Sequence, residues 1–175
     1  MSRSGKSFEL GGVVVPLTAA LGLNQSIGQA GGRSRLRFAN GAQIAQQAWS
    51  KLRISLSGDG WVPLGLDGLN YQATMTFKSG VPHALRSNSG VVTLPAGRRT
   101  DAGYLPFARA HLPSGQDQTT AVSLAGNVAT CAAVTGALSY TVSYYPEITV
   151  WADPPDQQFD RAGAAASWEL TLEEA

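Results

Sequence analysis

The chain has 175 residues, 43% of them hydrophobic and 14% charged, with a formal net charge of +1. A chain of this size can bury a core without a covalent staple, and its high apolar content excludes an extensively disordered protein. The 20 Gly and 9 Pro are too many for a helical bundle and are typical of short strands joined by tight turns. The single Cys131 excludes an intramolecular disulfide and a multi-cysteine zinc site.

Charge is distributed unevenly along the chain. Residues 1–60 carry seven basic and two acidic side chains, a net +5, whereas residues 147–175 carry one basic and seven acidic ones, a net −6. The simple interpretation is that both ends form solvated faces. The alternative is electrostatic complementarity between copies, with a basic face of one meeting an acidic face of the next. A nearly neutral chain polarised in this way is poorly suited to binding nucleic acid.

Strands are predicted from the N-terminus onward. Residues 8–15 form a valine-rich apolar run and predict the first strand. Alternation over residues 33–38, followed by Asn40 and Gly41, predicts a hairpin that continues through residues 43–47, because both turn residues accept a positive φ. A helical turn over residues 42–48 is the alternative.

The central part of the chain contains the clearest strand. Residues 49–57 place three aliphatic side chains on one face and Lys51 and Arg53 on the other. Residues 71–78 predict another alternating strand. Residues 79–118 are rich in Gly, Pro, Ser and Arg, and predict long loops or a small inserted lobe with Arg98 and Arg99 at an exposed tip.

The C-terminal third regains strand patterns. Residues 119–138 predict a hairpin rather than a helix, because they are rich in β-branched residues and contain a central Gly. The last strand carries Trp168 on its apolar face and Glu169 and Glu173 on its polar face. These patterns predict one all-β domain over residues 1–175, a sandwich or barrel of eight to ten strands, with residues 79–135 as a possible loop-rich insertion.

No membrane-spanning or secretory segment is expected. No window approaches 18 uninterrupted apolar residues, so we expect no membrane insertion. Arg3 and Lys6 near the N-terminus are not followed by an apolar core of signal-peptide length, so we expect folding in the cytoplasm.

Candidate catalytic groups are few, and no catalytic, metal or cofactor residue is assigned. His83 and His111 lie in no recognisable catalytic motif, and Cys131 has an apolar context typical of a core residue. Asp59 and Asp67 are explained as turn residues beside Gly and lack the oxygen-rich spacing of a calcium loop. We therefore expect that the chain is not an enzyme.

Two of the four tryptophans carry distinct expectations. Trp168 alternates with two leucines and is predicted to be core. Trp61 lies in a Gly-rich loop and is the candidate for exposure, either as a protein-interface anchor, which we favour, or as a stacking platform for a ligand.

Two stretches together resemble a known family. The first runs from residues 37–41 into residues 47–69, with a basic strand and the Gly60-Trp61-Val62-Pro63 loop. The second comprises residues 145–155 and the closing Trp-containing, acidic strand at residues 167–174. This pattern resembles structural proteins of long-tailed bacteriophages, in particular small baseplate components at the tail tip that are similar to distal tail proteins.

The resemblance implies a β-sandwich or split barrel of the tail-tube type. It also implies a virion protein assembled in the host cytoplasm as a ring, commonly of six copies, around a channel through which DNA passes as cargo. The ring would link the tail tube to other tail and baseplate proteins. Lys51, Arg53 and Trp61, together with Glu169 and Glu173, are then the expected contacts, with the basic and acidic groups meeting across subunits or across one sheet.

A receptor- or carbohydrate-binding β-sandwich module of a virion is the alternative function. Its contacts would be Trp61, Tyr104 and either Arg98 or Arg99. A hydrolytic enzyme is the least favoured reading of the sequence.

Overall fold

The computed structural model describes residues 6–160, 163 and 165–175, with Arg33 described by its backbone alone. The chain is all-β, as the sequence predicts: 53% of the described residues lie in strands, and none of them forms an α-helix. The number of strands was underestimated, because the described residues form seventeen, several of them only two to four residues long. Arg3 and Arg161, which enter the charge counts above, lie outside the described residues.

Within the described residues, the strands follow one another with one 3₁₀ turn, Leu17–Ala19, among them. In chain order they are β1 Glu9–Leu10, β2 Val13–Val14, β3 Asn24–Ala30, β4 Arg33–Arg37, β5 Gln43–Gln47, β6 Lys51–Gly60, β7 Met75–Lys78, β8 His83–Ser87, β9 Val91–Thr93, β10 Phe107–His111, β11 Asp117–Thr120, β12 Val122–Ala125, β13 Val128–Cys131, β14 Ser139–Tyr144, β15 Glu147–Ala152, β16 Asp156–Asp160 and β17 Ala165–Glu174.

The chain forms two compact units. The first consists of Met1–Phe77 together with Thr149–Ala175, and the second of Lys78–Ile148. A compact unit is defined by its internal contacts and a domain by independent folding, so the single domain over residues 1–175 and the insertion at residues 79–135 stay predictions.

The first unit is built on one eight-stranded sheet. Its order is β2-β1-β7-β15-β17-β6-β3, with β16 paired to β17 beside β15. The β6–β17 register places Leu56 opposite Leu170 and Ile54 opposite Leu172, and all four side chains are buried. Period-2 alternation therefore determines which face of both strands is the core, as the sequence predicts.

The second unit is a small β-sandwich. One sheet has the order β11-β10-β14-β8 and the other the order β12-β13-β9. Both sheets contribute to one buried cluster, with Ala108 and Val142 from the first sheet and Val92 and Ala129 from the second. The side chains are small, so the two sheets can approach closely.

Two local predictions are confirmed. Antiparallel pairing of β4 with β5 and of β12 with β13 reproduces both predicted hairpins, and the helical alternative at residues 42–48 is wrong. The turn of the first hairpin has Gly41 at φ 81°, the backbone conformation for which Gly is suited.

Two other local predictions are wrong. Residues 8–15 form two short paired strands rather than one, because Gly11 and Gly12 turn the chain with φ values of 57° and 85°. Residues 79–118 were expected to form long loops or a small inserted lobe. The long loops are wrong, because β8, β9, β10 and the start of β11 lie there, whereas the lobe stays a prediction. These strands are only three to five residues long, too short for the alternation to stand out among the Gly, Pro and Ser.

Candidate assembly surfaces

The first unit contains a long β-ribbon at its surface. Its base is the antiparallel pair β3–β6, in which Ala30 lies opposite Lys51. Its tip is the pair β4–β5, in which Arg33 lies opposite Gln47, and these two strands form a sheet of their own. We call residues 33–47 the arm. Five residues per strand make the arm about 17 Å long before its turn.

The two faces of the arm differ in chemistry. Leu36 and Ile44 are direct cross-strand partners on one face, and Phe38 continues that face at the turn, where its N–H donates to the Ala42 carbonyl. All three apolar side chains are exposed, Leu36 by 54% and Ile44 by 44%. A two-stranded ribbon is at best marginally stable in water, and one that keeps its apolar face exposed lacks the cover that stabilises sheets.

The other face of the arm is basic. Arg35 and Arg37 alternate onto it, about 7 Å apart along the strand. Their cross-strand partners are Ala45 and Gln43, so neither arginine faces an acidic residue in the ladder. The sequence of the arm contains three arginines and no acidic residue. The arm therefore presents uncompensated positive charge to solvent.

Two glycines, Gly31 and Gly32, lie at the neck of the arm, where it joins β3 and β6, and a side chain at either position would meet Trp49. A Cβ on Gly31 would lie 2.5 Å from the Trp49 carbonyl oxygen, and one on Gly32 would lie 3.0 Å from the Trp49 indole nitrogen. The two strands thus cross closely at this point, with the half-exposed indole beside the glycine backbone. The Ala48 N–H donates to the Gly32 carbonyl and closes the neck.

Four of the predicted contact residues lie on the polar face of β6 and β17. Arg53 is opposite Glu173 in the ladder, and Glu169 is opposite Ser57. Lys51 lies at the start of β6, where its Nζ donates to the backbone oxygen of Ala175. The register therefore brings Arg53 and Glu173 side by side within one sheet, and a contact of these groups across subunits stays a prediction.

The acidic end of this face forms a shallow groove. Glu169 lies opposite Ser57 on one side and opposite Asp156 on the other, so two carboxylates are direct cross-strand partners. Both residues are exposed and line a groove of about 340 Å³ together with Ser167 and Gln158. Like charges placed directly opposite each other destabilise a sheet. An added cation would relieve this repulsion. We call this feature the acidic groove.

Trp61 is exposed as predicted, with 73% of its surface accessible. Its backbone is nevertheless fixed, because its N–H donates to the Thr18 carbonyl at 2.8 Å and the Leu21 N–H donates to the Asp59 carbonyl at 2.9 Å. Trp168 is core as predicted, only 4% exposed, and its indole N–H donates to the Ala19 carbonyl at 2.7 Å. The 3₁₀ turn is thus held between the two tryptophans, which leaves the Trp61 ring on a rigid base.

The predicted exposed tip at Arg98 and Arg99 is wrong. Arg99 is 4% exposed, donates to the Asp101 carboxylate at 2.6 and 2.9 Å, and lies 3.2 Å from the centre of the Tyr104 ring. Arg98 is half-buried and donates to the Asn127 side chain at 2.7 Å. Both guanidinium groups are therefore engaged within the second unit. Arg99 is unavailable for the predicted ligand contact.

The Arg99 network also changes the pKa of a neighbouring carboxyl group. Burial raises the pKa of Asp101, but the hydrogen bonds and positive charge of Arg99 and the charge of Lys78 together lower it by more than burial raises it. The net pKa is therefore below its ordinary value. The arrangement is a structural ion pair, since the aromatic ring of Tyr104 covers one face of the guanidinium and the Ser79 carbonyl accepts from its Nη1 at 3.0 Å.

One polar network was missed by the sequence analysis. On the outer face of β10, His111 Nδ1 lies 2.5 Å from Asp117 Oδ1, and its Nε2 lies 2.6 Å from Thr141 Oγ1. The three side chains follow the order carboxylate, imidazole, hydroxyl. Thr141 lies in β14, which pairs with a strand on each side, so the backbone N–H groups around this hydroxyl are used in the sheet. The Pro-Ser-Gly turn between His111 and Asp117 could have predicted that these two residues pair. Thr141 is thirty residues from His111, so no local pattern could have predicted its contact.

The remaining chemical candidates occupy structural positions. Cys131 is buried, which raises the pKa of its thiol. Burial lowers the pKa of His83, whose ring packs edge-on against Tyr144. Asp67 accepts from the side chain of Gln157 at 2.9 Å. Among the described residues no group of three or more His, Cys, Asp or Glu side chains is placed to hold a metal ion.

Comparison with known proteins gives no family assignment. No protein-family model matches the chain. No curated protein sequence matches it significantly either. In the part of the chain that the structure describes, no helix is long and apolar enough to cross a membrane.

Proposed function

We propose that this protein is a structural component of the virion of a long-tailed bacteriophage, which self-associates as a ring of six copies at the tail tip or baseplate. The ring surrounds the channel through which DNA passes and links the tail tube to other baseplate proteins. The sequence pattern of residues 37–69, 145–155 and 167–174 supports the family, because it resembles distal tail proteins.

The arm is the observation that carries the proposal. It presents Leu36, Phe38 and Ile44 to solvent on a ribbon that no other strand covers in the described chain. Exposed contiguous apolar side chains are typical of protein interfaces. The strands of the arm pair only with each other, and its described side chains are exposed, which favours contact with another molecule over the lining of a ligand pocket.

The fixed and exposed Trp61 ring supports the same proposal. Tryptophan is enriched among the residues that dominate binding energy at interfaces, and a backbone held by two hydrogen bonds reduces the entropy lost on binding. An exposed aromatic side chain of this size does not contribute to solubility in water.

Unlike surfaces on one copy allow head-to-tail association into a ring. The arm is basic, whereas the last two strands are acidic, so one copy offers two different contacts. Contacts between different faces of identical subunits are heterologous, and they produce a closed ring when the rotation between subunits closes.

Native mass spectrometry and electron microscopy of the purified protein test this function. A closed oligomer of uniform copy number, seen as rings, is the expected result. A monomer at every protein and salt concentration, absent as well from purified virions, would contradict the proposal.

A glycan array on the same preparation tests the alternative. The exposed Trp61 ring is the feature that favours a carbohydrate-binding module. A monomer with saturable sugar binding that is lost in Trp61→Ala would establish that alternative, whereas an oligomer without sugar binding supports the structural role.

A further inference from the structure

We infer that the arm of one copy docks its basic face in the acidic groove of a second copy of the same chain. The inference rests on the proposed function and specifies its contact. It assigns the donor to Arg35 and Arg37 and the acceptor to Asp156 and Glu169, a different pairing from the one expected from sequence.

In the sheet of the first unit, no basic residue lies in the same cross-strand row as the two carboxylates of the acidic groove. The ladder row through Glu169 runs from Asn24 through Ser57 and Glu169 to Asp156 and contains no basic residue. Arg53, the nearest basic residue of β6 in the same alternation, is four residues away and opposite Glu173. The paired carboxylates of the groove therefore lack a cation in their own row.

The arm supplies the missing charge in the required form. A guanidinium group presents a planar fork of donors that fits carboxylates bidentately, and two adjacent carboxylates offer it up to four acceptor oxygens. Arg35 and Arg37 are both exposed and lie opposite neutral residues, so docking breaks no ion pair in the arm. Complementary charges would guide the approach of the two copies, and this guidance weakens as salt screens it.

Docking also accounts for the two chemical faces of the arm. With the basic face in the groove, the opposite face with Leu36 and Ile44 remains available for burial by further parts of the assembly. Because the docking copy keeps its own groove free, a third copy can add in the same way. A contact repeated in this way closes a ring when the rotation between subunits allows closure.

A charge swap between Arg37 and Glu169 tests the inference. We expect Arg37→Glu to raise the protein concentration at half-assembly at least about tenfold at low salt, by light scattering and native mass spectrometry, since a repulsive contact replaces an attractive one. The double variant Arg37→Glu/Glu169→Arg, with both changes in one chain, should recover assembly. Arg109→Glu is the matched control, an exposed strand arginine outside the arm with the same change of charge.

Cross-linking provides a second readout that does not depend on stability. One preparation carries Gln43→Cys, at the ladder partner of Arg37, and the other carries Ser57→Cys, at the ladder partner of Glu169. Both preparations keep the charged residues of the contact, and the native Cys131 remains buried. Mixing them under mild oxidation should give a disulfide-linked heterodimer in excess of either homodimer. Absence of that heterodimer under conditions in which the wild-type protein assembles would overturn the inference.

The outcomes separate the inference from the function on which it rests. A wild-type protein that forms rings, together with an Arg37→Glu variant that forms them equally well at low salt, overturns the docking contact and leaves the function intact. Loss of assembly in Arg37→Glu without recovery in the double variant also overturns the pairing with Glu169. A wild-type protein that never assembles contradicts the function itself.

Discussion

Trp168→Phe tests how the first unit holds its exposed tryptophan loop. Trp168 is buried on β17, and its indole N–H is a hydrogen-bond partner of the Ala19 carbonyl. Its ring also packs against Phe8, with ring centres 5.8 Å apart. Phenylalanine keeps an aromatic ring in this position but removes the donor and part of the ring volume. The substitution therefore isolates the bond that anchors the 3₁₀ turn.

The expected loss in free energy of unfolding is the sum of two effects. An unsatisfied buried carbonyl costs about 1–3 kcal/mol. The smaller ring leaves a cavity that costs about 1 kcal/mol more, a fraction of the 3–5 kcal/mol typical of full truncation to Ala. A loss of about 2–4 kcal/mol is a large share of the roughly 5–15 kcal/mol that stabilises a typical protein.

Urea unfolding measures this loss. With a slope of about 2–3 kcal/mol per molar urea, the unfolding midpoint of the protein should fall by about 1 M. Trp61→Phe is the matched control, the same change at an exposed position, and should alter the free energy of unfolding by less than about 0.5 kcal/mol. Equal midpoint shifts in the two variants would refute the role assigned to the Trp168 hydrogen bond.

Two further predictions concern the backbone and an ion pair. Gly60→Ala places a Cβ 2.4 Å from a backbone oxygen of the 3₁₀ turn and should lower the free energy of unfolding by about 1–3 kcal/mol, measured by urea unfolding, whereas Gly28→Ala meets no atom within 4 Å and should change it little. The lowered pKa of Asp101 means that its ion pair with Arg99 stabilises the fold above the ordinary carboxyl pKa, and that this stabilisation is lost as pH falls through the lowered pKa. Asp101→Asn should therefore be less stable at neutral pH and lose part of the acid dependence in thermal unfolding from pH 7 down to pH 2; an unchanged pH profile would contradict this assignment.

Local patterns predicted much of the fold because they reflect backbone geometry within a few residues. Alternation in β6 and β17 identified which side chains are buried, and Trp168 was assigned to the core on the same basis. Asn40-Gly41 and Gly126-Asn127 identified two hairpins, since a turn fixes the register of the strands that it joins.

Contacts between distant segments were beyond the reach of these patterns. Arg99 was expected at an exposed tip because segments rich in Arg and Gly usually lie at the surface. In the structure, Asp101 and the Tyr104 ring allow its charge to be buried. The meeting of His111 with Thr141 likewise depends on β10 pairing with β14, a neighbour that short-range periodicity does not identify.

The sequence by itself determined the all-β class, the polar and apolar faces of the longest strands, and the opposite charges of the two ends. Only the tertiary structure decided which charged side chains lie beside one another. It placed Arg53 beside Glu173 within one sheet, left Arg35 and Arg37 on a projecting arm, and paired Glu169 with Asp156. The physical reason is that a charge is encoded by one residue, whereas its compensation depends on the register between strands that are far apart in the chain.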